Sequence, residues 1–254
     1  IPPSCSVVFQ TRMMTPRNRP PRGLFITLEG TEGCGKSTQA KLLGEHLRNQ
    51  GYDTVETREP GGTPLAEKIR SLLLDRADEP VAPETEAFLV LAARRQHVAQ
   101  VIEPALARGS IVLCDRFIDS TLAYQGYARG LDIATLERLN RLATHALMPD
   151  LTLVFDLPVS TGLARRRSAA ELNRLDRESL RFHRSVRTGF LDLAKRHPTR
   201  IKVLSARASK ETVAHAVARV VTPMLGHLRR GVDHNRPAAS RPSPQKSQAR
   251  HAIR

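Results

Sequence analysis

The segment at 30–37 constrains the fold of this chain more than any other, because its sequence is GTEGCGKS. It satisfies the pattern G-x-x-x-x-G-K-[ST], in which glycines let successive backbone N–H groups point at phosphate oxygens. The apolar run LFITLE at 24–29 precedes it, and helical periodicity begins at Lys36. A buried strand, a glycine-rich loop and a helix in this order predict a loop that binds a nucleoside triphosphate, with the helix dipole adding to the attraction.

Every residue of this loop is a candidate nucleotide ligand, and three have specific predicted roles. Lys36 is expected to bridge the β- and γ-phosphates, and the hydroxyl of Ser37 is expected to bind Mg²⁺. Because an acid beside a triphosphate is unfavourable, the carboxylate of Glu32 should face a substrate hydroxyl or, as the alternative, solvent. The predicted nucleotide-binding residues are Gly30, Thr31, Glu32, Gly33, Cys34, Gly35, Lys36, Ser37 and Thr38.

Beyond the loop, short apolar runs alternate with longer segments of helical periodicity. Further strands are predicted at 52–57, 111–114, 151–156 and 201–204. Helices are predicted at 36–49, 64–74, 84–108 with a bend at Pro104, 118–127, 132–147, after the fourth strand to 167, 177–196 and 209–226. Strands that alternate with helices pair in parallel through right-handed crossovers. We therefore predict an α/β fold, a three-layer α/β/α sandwich with a five-stranded parallel sheet of the P-loop type.

The net charge of +15 is concentrated at the two ends of the chain. Residues 1–23 carry four Arg and no acid, and residues 227–254 carry seven Lys or Arg against Asp233 alone. Both segments are predicted to be disordered, which leaves one domain at 24–226. Solvation of these basic segments is favoured over contact with nucleic acid, which stays open as an alternative. Met13 and Met14 precede the first strand, and either is a candidate start residue.

Two further properties bear on the environment of the protein. No apolar run approaches the ~20 residues that a membrane-spanning helix needs, so no membrane span is predicted. The three cysteines, Cys5, Cys34 and Cys114, show neither paired zinc-ligand spacing nor a disulfide framework. This pattern favours a reducing, cytoplasmic location.

Polar motifs follow the second and third predicted strands, at the sheet edge where open α/β proteins bind ligands. Arg58 begins the motif REPGG at 58–62 and is suited to hold an acceptor phosphate bidentately. Asp115 ends the third strand and is predicted to hold Mg²⁺ or polarise an acceptor, while Arg116 would span donor and acceptor phosphates. The alternatives are an ordinary turn at 58–62 and an Asp–Arg ion pair that caps a loop.

Three motifs in this order resemble the signatures of the thymidylate kinase family. They are the phosphate loop, REPGG at 58–62 and DRFIDSTLAYQG at 115–126, and the resemblance covers about 24–210. It implies phosphoryl transfer from ATP to dTMP with Mg²⁺, giving ADP and dTDP for dTTP biosynthesis, and it implies a homodimer. Two alternatives stay open: a kinase for another nucleoside monophosphate such as dUMP, and a non-catalytic nucleotide- or nucleic-acid-binding protein.

The resemblance also implies roles for individual residues on the acceptor side. Glu32 would contact the 3′-hydroxyl of the acceptor deoxyribose, Arg58 its phosphate and Arg94 the thymine carbonyl. Tyr124 would pack where a ribose 2′-hydroxyl would otherwise lie, which favours deoxynucleotides. The predicted substrate-binding residues are Glu32, Arg58, Val90, Arg94, Arg116, Ser120, Thr121, Tyr124 and Gln125.

One position departs from the pattern of the family. A Phe that stacks on thymine usually lies four residues before the helix arginine, and this chain has Val90 there. Phe88 is predicted to face elsewhere, because two residues along a helix correspond to about 200° of rotation. The loss of a stacking ring is expected to cost on the order of 1 kcal/mol, which makes the affinity for thymine the open question.

A mobile lid is implied at about 165–178. In one branch of the family an Arg follows the acid of the phosphate loop, where this chain has Gly33, and the other branch supplies the arginine from the lid. ELNRLDRES at 171–179 makes Arg174 the best match, and a lid arginine would stabilise transition-state charge. A charged helix surface is the alternative. The predicted catalytic residues are Lys36, Asp115, Arg116 and Arg174, with Ser37 and Asp115 as metal ligands.

Overall fold

The computed structural model describes residues 22–75, 80–167 and 172–228. Within these ranges the predicted order of strands and helices is confirmed. The strands are β1 (Phe25–Glu29), β2 (Thr54–Arg58), β3 (Ile111–Asp115), β4 (Leu151–Asp156) and β5 (Ile201–Ser205). The segments predicted to be disordered lie almost entirely outside the described residues.

The strands form one five-stranded sheet in the order β2-β3-β1-β4-β5, and every neighbouring pair is parallel. β1, the strand before the phosphate loop, is central and fully buried. The predicted three-layer sandwich is therefore confirmed. The helices are α1 (Lys36–Asn49), α2 (Pro64–Leu74), α3 (Pro83–His97), α4 (Glu103–Ala107), α5 (Ile118–Thr121), α6 (Ile133–Ala143), α7 (Val159–Arg167), α8 (Leu180–Arg196) and α9 (Lys210–Val221).

Two of the predicted helices contain wider π-helical turns. The segment predicted as one helix at 84–108 consists of α3, a π-helical turn at Val98–Ile102, and α4. α5 likewise continues into a π-helical turn at Leu122–Ala128. Such turns insert a residue into the helical ladder and occur frequently at functional sites. Periodicity alone does not reveal them, because the apolar spacing on either side is unchanged.

Alternate residues of the central strands enter different cores. Ile26 and Leu28 pack with α1 and α9 on one face of the sheet, whereas Phe25 packs with Val98 and Phe117 on the other. On that second face, α8 and the π-helical turn at Leu122–Ala128 form another apolar cluster with β4. Both faces of the sheet are thus covered, which explains why the strands are continuous apolar runs.

The parallel sheet brings the carboxyl ends of β1, β2 and β3 to one edge. β1 ends at Glu29, β2 at Arg58 and β3 at Asp115, and the register pairs Arg58 with Asp115. The phosphate loop and the two acceptor motifs therefore lie side by side. Tyr124 of the third motif, for example, contacts Glu32 of the loop across 92 positions of the chain. Among the described helices, none is both long and apolar enough to cross a membrane.

Candidate active site

The phosphate loop lies between β1 and the first turn of α1, as predicted. Gly33 and Gly35 have φ angles of 68° and 94°, a region that side chains rarely adopt. A Cβ at Gly33 would lie 2.0 Å from the carbonyl oxygen of Gly162, so the loop is also packed closely against α7. Lys36 is buried, and its Nζ donates to the carbonyl oxygens of Gly30 at 3.0 Å and Thr31 at 2.8 Å.

The remaining predicted residues of the loop divide between a buried and an exposed side. Thr31 and Cys34 are buried, with the Sγ of Cys34 3.6 Å from the Nζ of Lys36. Ser37 and Thr38 are exposed and line a cavity on the nucleotide side of the loop. That cavity is also lined by Ala206 and Ala208, from the segment after β5.

Ser37 and Asp115 meet at the mouth of the loop. The Oγ of Ser37 donates to Oδ2 of Asp115 at 2.5 Å, although 78 residues separate them in the chain. A hydroxyl and a carboxylate at one point are hard oxygen donors of the kind that Mg²⁺ prefers, with phosphates and water completing its shell. The two predicted metal ligands are thus brought together. No cluster of three His, Cys, Asp or Glu side chains that could hold a metal ion occurs among the described residues.

Arg116 lies between the donor and acceptor sides. Its φ of 72° turns the side chain back over the phosphate loop, where Nη1 donates to the carbonyl oxygen of Gly30 at 3.1 Å. Nη2 donates to Oε1 of Glu32 at 3.0 Å, and the guanidinium lies over the ring of Tyr124. Burial alone would lower the pKa of Arg116, but the surrounding anionic groups outweigh it, so the pKa lies above its ordinary value and the cation is retained.

Glu32 faces the acceptor cavity rather than the nucleotide side, which excludes the solvated alternative. Besides Arg116, the hydroxyl of Tyr124 donates to its Oε1 at 2.5 Å, and Nδ1 of His183 lies 3.2 Å from Oε2. Burial by itself would raise the pKa of Glu32, but His183, Arg116 and Lys36 overcome this, and the pKa lies well below the usual range. Glu32 is therefore an anion in this site and can accept a hydrogen bond from a substrate hydroxyl.

Arg58 lies at the rim of the cavity, where an acceptor phosphate would enter. It is half exposed, and its Nη2 donates to Oε2 of Glu67 at 2.8 Å. Arg70, which the sequence analysis missed, lines the same cavity from α2 and donates to the carbonyl oxygen of Pro60. Burial and the positive charge of Arg58 lower the pKa of Arg70. The sequence signal that could have identified Arg70 is its position as a basic residue in the helix that follows REPGG.

Arg94 is the most completely buried large side chain of the site, with 1 % of its surface exposed. Nε donates to Glu59 at 2.7 Å, Nη1 to Thr121 and Asn140, and Nη2 to the carbonyl oxygen of Phe117. Four of the five N–H groups of the guanidinium are thus used, and the side chain still lines the cavity. The buried partners Glu59 and Asn140 were not predicted, because they become neighbours only in the folded chain.

The wall of the predicted base pocket contains Val90. Its side chain is partly buried and lines the cavity, whereas Phe88 is 60 % exposed and faces away, as predicted. Gln125 is buried and donates to Glu86 at 2.8 Å, and Ser120 donates to Glu29 at 2.6 Å. The structure therefore brings the predicted acceptor residues around one cavity of about 400 Å³.

Glu29, the last residue of β1, is a buried carboxyl group that the sequence analysis did not identify. It accepts hydrogen bonds from the backbone N–H groups of Phe117 and Ser120 and from the Ser120 hydroxyl. Burial and the charge of Asp119 raise the pKa of Glu29 to about 7. Glu29 connects the end of β1 to the start of α5 and so sets the position of the DRFIDS segment.

The lid segment is described except for residues 168–171. Arg174 lines the cavity that the phosphate loop also lines, and its side chain is held by other segments: its Nη2 donates to Oε2 of Glu86 at 2.6 Å and its Nε to the carbonyl oxygen of Leu73. Arg166 pairs with Asp176 within the lid, and Arg165 lines the cavity on the nucleotide side. The catalytic role of Arg174 therefore stays a prediction. Asp156, at the end of β4, pairs with Arg187.

The fold and the site together define a class of protein. A parallel sheet in which the phosphate loop adjoins an arginine-lined acceptor cavity is the arrangement of a P-loop nucleotide kinase, because phosphoryl transfer requires alignment and charge neutralisation. Within this class, the model of the thymidylate kinase family matches residues 28–217. The chain belongs to the thymidylate kinase family and is a kinase.

Individual relatives agree with the match to the family. The chain is 52 % identical over 206 residues to a thymidylate kinase of Pseudomonas putida (strain W619), covering 81 % of this chain and 100 % of the relative. It is 55 % identical over 207 residues to that of Thermomicrobium roseum, with 81 % and 98 % covered. The crystal structure of thymidylate kinase from Ehrlichia chaffeensis superposes with a TM-score of 0.66 at 36 % identity, covering 80 % of this chain and 99 % of that one. Neither alternative function is favoured by these relatives.

Proposed function

We propose that the protein transfers the γ-phosphoryl group of ATP to dTMP, giving ADP and dTDP, with Mg²⁺ as cofactor. One observation carries this proposal. A single cavity of about 400 Å³ is lined by Lys36 and Ser37 of the phosphate loop and also by Arg58, Arg94 and Tyr124 of the acceptor motifs. Donor and acceptor sites that open into the same space allow direct transfer between two bound phosphates.

On the donor side, the chain supplies positive groups at fixed positions. The backbone N–H groups of the loop and the first turn of α1 bind phosphate oxygens, and Lys36 is held at the centre of the loop by two carbonyl oxygens. Ser37 and Asp115 would hold Mg²⁺, which when bound neutralises charge on the β- and γ-phosphates. Little covalent chemistry is required of the protein, so these groups act through electrostatics.

On the acceptor side, separate residues hold the three parts of dTMP. Arg58 and Arg70 at the rim bind its phosphate, and Arg116 reaches both phosphates from its position over the loop. Glu32 accepts a hydrogen bond from the 3′-hydroxyl of the sugar. Arg94 uses its remaining N–H donor for the base. The acceptor oxygen is thereby directed at the γ-phosphorus in line with the leaving group.

The base pocket is completed by smaller side chains and by the lid. Val90, Ser120 and Thr121 line the cavity, and Tyr124 occupies space beside the sugar that a 2′-hydroxyl would need. The buried amide of Gln125 holds Glu86 in place below the lid. Arg174 then moves from Glu86 to the γ-phosphate when ATP and dTMP are both bound, which excludes water from the reaction.

A homodimer in the cytoplasm is the proposed state of the protein. Large apolar side chains are exposed on α2, α3 and α6, of which α3 packs against both of the others: Leu65, Leu72, Phe88 and Leu142. Exposed apolar side chains on neighbouring helices are typical of a protein–protein interface. The buried free thiols of Cys34 and Cys114 suit a reducing compartment. Light scattering at micromolar concentration tests the dimer, for which a monomer mass is the contrary result.

The proposed function is tested by ADP release with a panel of acceptors. We expect kcat/KM to be highest with dTMP when dTMP, dUMP, UMP, dCMP and dGMP are compared at saturating ATP and Mg²⁺. The Lys36→Ala variant serves as the control, because it removes the phosphate-bridging cation and leaves the residues of the two acceptor motifs in place. ADP release that does not depend on any acceptor, or a preference for another base, would contradict the proposal.

A further inference from the structure

The carboxylate of Glu32 is contacted from three separate elements. Its Oε1 accepts from Arg116, which follows β3, and from Tyr124, which lies in the π-helical turn after α5. Its Oε2 lies 3.2 Å from Nδ1 of His183, on α8. The orientation of this carboxylate is therefore set by the packing of distant segments rather than by the phosphate loop alone.

His183 differs from the other two partners in its surroundings. His183 is 0 % exposed, and its ring packs edge to face against the ring of Phe182. It does not line the acceptor cavity. Arg116 and Tyr124, by contrast, both line that cavity and have substrate roles of their own. Of the three partners, His183 is the one that contacts Oε2 of Glu32 from outside the cavity lining.

The hydrogen-bonding groups of this pair are not used elsewhere. Among the described residues, Oε2 of Glu32 and both ring nitrogens of His183 have no aligned hydrogen-bond partner. A buried polar atom without a partner costs ~1–3 kcal/mol, so a close pair of such atoms is expected to interact. Catalytic contacts that are poorly aligned in the free enzyme commonly become aligned when substrate binds.

Resting on the proposed function, we propose that His183 is a positioning residue for the acceptor sugar. Its Nδ1–H holds Oε2 of Glu32, so that the carboxylate keeps the orientation in which it accepts the 3′-hydroxyl of the nucleotide. His183 thereby contributes to selection of acceptors that carry a free 3′-hydroxyl over those that lack it. It acts through Glu32 and does not touch the substrate.

Two variants separate this role from simple packing. His183→Asn places an amide nitrogen near the position of Nδ1, whereas His183→Leu has a similar apolar volume and no donor. We measure kcat/KM for dTMP and for 2′,3′-dideoxythymidine monophosphate, which lacks the 3′-hydroxyl. His183→Leu is expected to lower the value for dTMP about tenfold, in line with a hydrogen bond to a charged group, and to leave that for the dideoxy nucleotide nearly unchanged. His183→Asn should recover most of the loss.

A matched control is available at the other buried His–Glu contact. Nδ1 of His97 lies 3.0 Å from Oε1 of Glu59, and His97 is also fully buried. Since Glu59 holds Arg94 rather than the sugar, His97→Leu is expected to change kcat/KM for both nucleotides by the same factor. In a Glu32→Gln background, His183→Leu should have little further effect on dTMP.

The possible outcomes distinguish this proposal from the proposed function. If the wild-type enzyme prefers dTMP over the dideoxy nucleotide and His183→Leu keeps that preference, the positioning role is overturned while the proposed function stands. If the wild-type enzyme shows no preference, the sugar contact of Glu32 and the positioning role of His183 both fail, whereas phosphorylation of dTMP fails only if ADP release does not depend on dTMP. Should His183→Leu not fold, equal preference ratios in His183→Asn and His183→Gln overturn the role, because Gln displaces the donor from Nδ1.

Discussion

The hydroxyl of Ser37 lies 2.5 Å from Oδ2 of Asp115 and joins the phosphate loop to the carboxyl end of β3. β1 and β3 are parallel neighbours in the sheet, and Leu28 pairs directly with Asp115. The backbone register therefore places the carboxylate beside the loop before any ligand is bound. A site prepared in this way requires little rearrangement when Mg²⁺ and nucleotide bind.

Replacing Asp115 by Asn is expected to raise the Mg²⁺ concentration for half-maximal rate by on the order of tenfold, because an anionic oxygen near the metal is lost. Titration of the rate with Mg²⁺ at saturating substrates measures the change. Asp156→Asn is the control, since Asp156 ends β4 and pairs with Arg187 instead. Identical Mg²⁺ dependence of the two variants would contradict a metal role for Asp115.

Replacing Arg174 by Ala is expected to lower kcat on the order of 10³-fold and to change the KM for dTMP much less, because a lid arginine acts on the transition state. Steady-state kinetics with both substrates measures this. Arg177→Ala is the control, as Arg177 is exposed in the same segment. Equal losses in turnover and dTMP affinity would instead indicate that Arg174 serves only through its contact with Glu86.

Exchanging Val90 for Phe is expected to lower the KM for dTMP about fivefold, since a stacked ring contributes roughly 1 kcal/mol at such a position. The substitution adds a ring to the cavity wall in the place where the family usually has one. Phe88→Leu provides the control, because that ring is 60 % exposed and lies outside the cavity. An unchanged or higher KM in Val90→Phe would show that Val90 already fits the base.

Replacing Arg94 by Met is expected to lower the free energy of unfolding by about 3–5 kcal/mol, because the buried carboxylate of Glu59 would lose its guanidinium partner and keep its contact with His97. Urea denaturation measures the difference. The matched control is Arg58→Met, which breaks the exposed pair with Glu67 and should cost about 1 kcal/mol or less. Similar losses in both variants would mean that the buried Arg94–Glu59 pair contributes no more to the free energy of unfolding than the exposed Arg58–Glu67 pair.

Glu29 is expected to make the protein less stable as pH rises from about 4.5 to about 7. Its pKa is raised from 4.5 to about 7 in the folded state, so over this range the unfolded chain releases the proton and the folded chain retains it. By linkage, the stability contributed by the protonated group is complete below the lower value and is lost as pH rises through the higher one, by about 3 kcal/mol.

Urea denaturation of wild type and Glu29→Gln across pH 4.5–8 measures this dependence, because Gln stays neutral and can keep the contacts to Phe117 and Ser120. The variant should gain stability relative to wild type as pH rises to about 7, and the difference should then level off. A difference that is independent of pH would contradict the raised pKa of Glu29.

Much of the fold follows from local patterns. Apolar runs and helical periodicity locate the strands and helices to within a few residues, since burial between two helical layers demands continuous apolar strands. The main departures are the π-helical turns at Val98–Ile102 and Leu122–Ala128, which leave the apolar spacing unchanged. The boundary of α6 at Ala143 rather than 147 is a second difference.

Some residues of the site can be predicted from short motifs in the sequence, and others cannot. Short sequence motifs are sufficient to predict the chemical roles and approximate positions of Lys36, Ser37 and Asp115. Glu29, Arg70 and His183 stand in no comparable motif, and each reaches the site through packing of β1, α2 or α8. The contact of Arg174 with Glu86 likewise depends on how the lid packs against α3.

The amino-acid sequence by itself determined the phosphate loop, the parallel sheet and the inventory of cations for phosphoryl transfer, because each depends on the order of neighbouring residues. Only the tertiary structure decided which way Glu32 faces and what holds it, since Arg116, Tyr124 and His183 are brought to its carboxylate from 84, 92 and 151 positions further along the chain. A carboxylate in a loop can turn to either side, and long-range packing selects one.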